Sequence, residues 1–113
     1  MQIKKTYKDV NPGLIYDELR DFILKQGVIL SESKLETYQL PGDSSEFTSR
    51  GTLTFKSSEG GPECIRAHVV GSATMETKVL LNIDEQLFSG PKLEALQGDL
   101  DFVFGSYEVK PRP

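Results

Sequence analysis

Cys64, Arg66 and His68 stand at alternate positions of one short segment and carry the side-chain types of a nucleophile, a cation and a base. A thiolate nucleophile needs a base within hydrogen-bond reach. On an extended strand Cys64 and His68 would stand roughly 13 Å apart, too far for a nucleophile–base pair or for joint chelation of one metal. With one cysteine and one histidine in the chain, any three-ligand metal site would have to be rich in carboxylates. Asp99 and Asp101 are two residues apart in a helical pattern, so they point to different faces and make no acid–base pair. Glu59-Gly60-Gly61 has no lysine and no following helix, so its glycines read as a turn and not as a phosphate cradle. These residues give no catalytic set, no metal site and no cofactor site.

The bulk properties narrow the classes further. The chain has 113 residues, 37% hydrophobic and 27% charged, enough for one domain with its own core. Thirteen basic against seventeen acidic residues leave a formal net charge of −4, which argues against binding a nucleic-acid backbone. No apolar run approaches the ~20 residues needed to span a bilayer, and no signal-peptide pattern opens the chain. A single cysteine rules out an intrachain disulfide and suits a reducing, cytoplasmic setting.

The elements follow from period. Residues 2–8 alternate as a short strand. Asn11-Pro12 then supplies a cap and a first-turn proline for a helix over 12–26, with Ile15, Leu19, Phe22 and Ile23 on its apolar stripe and Gly27 at its end. A ragged strand over 28–40 leads to a turn at Pro41-Gly42-Asp43. Phe47, Ser49, Gly51, Leu53 and Phe55 then share one strand face. Ile65, Ala67 and Val69 alternate with Cys64, Arg66, His68 and Val70, and Met75, Thr77, Val79, Leu81 and Ile83 form the inward set of a last strand. Leu93, Leu96, Leu100, Val103, Phe104 and Tyr107 recur at helical spacing, with Ser89 as a candidate cap. Residues 1–109 make a single domain and 110–113 a frayed end. The expected class is α+β: an antiparallel sheet in the order β-α-β-β-β-β-α, with both helices on one face.

In pattern the chain resembles the helix-grip, or START-like, superfamily. The resemblance rests on QIKKTYKDVNPGLIYDELRDF, on the meander GTLTFKS, ECIRAHVV and TKVLLNID, and on the closing helix PKLEALQGDLDFVFGSYE. One helix and about five strands stand where members have two helices and about seven strands, so this is a reduced version. The resemblance implies a helix-grip arrangement and the binding of a small apolar molecule or lipid between the sheet and the C-terminal helix. The residues placed there are Phe47, Leu53, Phe55, Val79, Leu81, Leu96, Leu100, Phe104 and Tyr107. Binding, not catalysis, is therefore the expected work, with no cofactor. The alternative is a protein-interaction or self-assembly module, such as a homodimer joined by open sheet edges.

Overall fold

The computed structural model describes residues 1–39, 47–72 and 76–109. The Pro41-Gly42-Asp43 turn, Met75 and the 110–113 end lie outside the described residues. Two periodicities set the order of elements: β1 (Gln2–Lys8), α1 (Pro12–Leu24), β2 (Ile29–Gln39), β3 (Phe47–Lys56), β4 (Glu63–Gly71), β5 (Glu76–Ile83) and α2 (Pro91–Phe104). A single 3-10 turn, Gly105–Tyr107, follows α2. The four strands after α1 form an antiparallel meander, and β1 returns to pair with β5, giving the order β1-β5-β4-β3-β2. This is an α+β fold, as the sequence implied.

Local chemistry explains the helix ends. The Asn11 carboxamide oxygen accepts from the Gly13 N–H at 2.7 Å, and Pro12 occupies the first helical position, where a missing donor costs nothing. Past the helix end Gly27 takes φ +88°, a conformation that side chains resist. At α2 the structure corrects the sequence reading. The cap is Gly90 at φ +59°, with no side-chain hydrogen bond, and Ser89 lies one residue outside. Pro91 follows directly, so the chain turns into the helix through glycine's freedom and not through a capping hydroxyl.

One hydrophobic cluster joins the layers. α1 contributes Ile15, Tyr16, Leu19, Phe22 and Ile23, the sheet Leu53, Phe55, Ile65, Ala67, Val69, Val79, Leu81 and Ile83, and α2 Leu96, Leu100 and Phe104. Phe88, buried in the connection to α2, had no periodic signal in the sequence. It is held by a turn in which the Asp84 carbonyl accepts from the Leu87 and Phe88 N–H groups. The other face of the sheet carries Lys4, Thr6, Arg50, Thr52, Arg66, His68 and Lys78 toward solvent.

α1 can lie close on β3 because of one glycine. A Cβ built on Gly51 would fall 2.5 Å from the Tyr16 ring and 3.3 Å from a Leu35 methyl. Tyr16 is buried, so its ring has little room to retreat. Gly51→Ala is expected to destabilise the domain by about 1–3 kcal/mol, the usual cost of overpacking. Chemical denaturation checks this, and an unchanged midpoint would show that α1 is not seated on β3.

Candidate functional site

The residues assigned to a ligand site fall into two groups. Leu53, Phe55, Val79, Leu81, Leu96, Leu100 and Phe104 are brought together, each at most 2% exposed, as the core that joins sheet and helices. The Phe104 ring sits 5.7 Å from that of Tyr7 and 6.3 Å from that of Phe22, measured between centroids. Phe47 and Tyr107 are not part of that cluster and are 50% and 45% exposed. Phe47 is the first residue of β3, opposite Gln39 at the end of β2. Tyr107 leaves the helical stripe because α2 stops at Phe104 and the 3-10 turn redirects the chain. Val103 is also exposed, so the buried stripe of α2 is narrower than the spacing suggested.

The Cys64, Arg66 and His68 set separates as well. β3 and β4 are in step up to Phe55 opposite Ile65, but Lys56 then faces Glu63, so Cys64 is the extra residue of a bulge. It turns inward and is 1% exposed, and burial pushes its thiol above the ordinary value. A buried, protonated thiol is a poor nucleophile. Arg66 points outward and pairs with Glu63 at 3.0 Å, while His68 Nδ1 meets the Thr52 hydroxyl at 3.4 Å. Among the described residues no group of three His, Cys, Asp or Glu side chains could hold a metal, and no helix is long and apolar enough to cross a membrane.

Two features remain on the surface. The first is a cleft of about 470 Å³ on the outer face of the sheet, lined by residues of β1, β4 and β5. Leu80 lies opposite both Lys4 and His68, and Val70 lies opposite Lys78, so an apolar floor has ammonium groups beside it and no carboxylate in its lining. The second is the outer edge of β2. Among the described residues no strand pairs with it, and it runs for 11 residues. At the other edge of the sheet, the Val109 N–H donates to the Thr6 carbonyl at 2.7 Å and Glu108 bridges to Tyr7.

The β2 edge has its own chemistry. The outer side carries Glu32, Lys34, Glu36 and Tyr38, opposite Thr54, Thr52, Arg50 and Thr48 of β3. Lys34 Nζ lies 3.2 Å from the Glu36 carboxylate, which also accepts from the Tyr38 hydroxyl. These bonds hold the Glu36 carboxyl below its ordinary value, Tyr38 contributing most, and raise Lys34. The helix side carries Leu35, 43% exposed and close to Tyr16 over Gly51. A bulge at Ser31 sets off this stretch from Ile29 and Leu30. Elsewhere Phe102 of α2, at 90%, is the most exposed of the large apolar side chains described. Comparison of the chain with protein-family models, with curated proteins and with solved structures returned no match.

Proposed function

We propose that this domain is a protein-interaction module that works by strand addition at the β2 edge. The observation that carries the reading is the length and openness of that strand. Unpaired N–H and C=O groups along an edge are a template for another strand, and proteins that avoid such pairing blunt the edge. Here the stretch from Glu32 to Tyr38 contains no proline and only one lysine, and its helix side presents Leu35. Backbone hydrogen bonds would supply the affinity of an added strand, and the alternating side chains its register.

A display library of nine-residue peptides selected on the full chain tests this. The expected result is a set of alternating apolar and charged sequences whose binding slows amide exchange across residues 32–38. Peptides that protect only other parts of the chain would overturn it.

The outer-face cleft favours a second reading, in which the sheet takes a small molecule with an apolar body and an anionic group. Leu80 and Val70 would receive the body, and Lys4 and Lys78 the charge. This keeps the small-molecule expectation but moves the site from the layer interface to the open face. A small mass that stays with the purified chain in native mass spectrometry, and is lost in Leu80→Glu, separates this reading from strand addition.

A further inference from the structure

We infer that the strand added at β2 is the β2 strand of a second copy of this chain, paired antiparallel about a two-fold axis at Leu35. The inference rests on the strand-addition reading and adds the partner and the register. In a continuous antiparallel sheet, residues directly opposite each other point to the same face. The axis of a symmetric pair must therefore pass through a residue opposite its own counterpart, or every side chain would face the wrong side.

Charge then selects among the few axes available. An axis at Leu35 sets Lys34 of each copy opposite Glu36 of the other, Ser33 opposite Thr37, Glu32 opposite Tyr38, and Leu35 against Leu35. Both ion pairs lie on the outer side, and the two leucines meet on the helix side, each beside its own Tyr16. An axis at Lys34 would oppose the two lysines and set Glu32 against Glu36. One at Glu36 or at Glu32 would oppose two carboxylates. An axis at Ser33 pairs Lys34 with Glu32, but it places Glu36 opposite Leu30 and draws the bulge at Ser31 into the paired stretch. Moving the axis beyond Glu36 shortens the overlap. The Leu35 register is thus the one with the longest overlap in which every charge between Glu32 and Tyr38 avoids a like-charged neighbour across the seam and the bulge stays outside.

Like charges directly opposite each other disfavour pairing and opposite charges favour it, so two exposed side chains test the register. Lys34→Glu sets carboxylates against each other at both positions, and Glu36→Lys does the same with ammonium groups. Each variant alone is expected to raise the dimer dissociation constant by about tenfold or more in sedimentation velocity at low salt. An equimolar mixture of the two variants restores opposite charges at both positions and should recover association as a heterodimer. The double variant Lys34→Glu/Glu36→Lys should recover it as a homodimer. A far-ultraviolet circular dichroism spectrum like that of the wild type, with a cooperative thermal transition, shows that each variant is folded.

A wild-type chain that stays monomeric at sub-millimolar concentration overturns the second copy as partner, while peptide protection of residues 32–38 would leave the strand-addition reading standing. A dimer indifferent to both charge reversals, or variants that do not rescue each other, overturns the register.

Discussion

Phe104→Ala is expected to destabilise the domain by about 3–5 kcal/mol, the cost of truncating a fully buried aromatic. Phe104 is the last residue of α2, is 2% exposed, and lies against Tyr7 of β1 and Phe22 of α1. It therefore ties the last helix to both the first strand and the first helix. Collapse around the gap is hindered because Tyr7 is held in the sheet opposite Thr77 and Phe22 in the last turn of α1, on its buried face. Since domains of this size are stable by roughly 5–15 kcal/mol, such a loss would bring the variant close to unfolding. Urea denaturation followed by far-ultraviolet circular dichroism measures it. A loss under about 1 kcal/mol would mean that α2 is not docked on the sheet.

The second large effect is alkaline. Burial, reinforced by the negative charges of Glu108 and Asp101, pushes the Tyr7 phenol well above its ordinary value near 10. In the unfolded chain the same phenol ionises near pH 10. Above that pH the unfolded state binds fewer protons than the native state, so stability falls as pH rises. The contribution is whole below about pH 10, and the loss is about 1.4 kcal/mol per pH unit until the native phenol itself ionises. The buried Cys64 thiol acts in the same direction.

Tyr7→Phe separates this from general alkaline damage. The Tyr7 hydroxyl is buried without a hydrogen-bond partner, so its removal should leave stability at neutral pH unchanged or raise it by about 1 kcal/mol. The alkaline fall should become correspondingly shallower. Parallel stability–pH curves for the two proteins between pH 9 and 12 would contradict the assignment.

The parts of this fold that repeat were legible in the sequence. α1 announced itself by Asn11-Pro12, a stripe of four apolar residues and Gly27, all local signals that tertiary packing reinforced. β4 and β5 were legible because Ile65, Ala67 and Val69, and Thr77, Val79, Leu81 and Ile83, alternate over a sheet with one wet face. Events of a single residue were not legible. The bulge that turns Cys64 inward depends on how β3 and β4 meet, and period two extrapolated through it placed the thiol on the same face as Arg66 and His68. The 3-10 turn that exposes Tyr107 likewise has no periodic signature. Phe47 carried a sound strand pattern, but alternation cannot tell where the helices stop covering the sheet. The candidate β2 edge was visible only as raggedness, because a mostly exposed edge strand interrupted by a bulge at Ser31 has no continuous buried face to enforce alternation.

The tail contact at Thr6 and Tyr7 sets the size of any assembly. With Glu108 and Val109 laid along that end of β1, and Lys4, Lys5 and Lys8 studding the same strand, the proposed strand addition gives the molecule one receptive flank and one protected flank. Two molecules joined at their receptive flanks present only protected ones outward, so growth ends at a closed pair and does not propagate into a fibre.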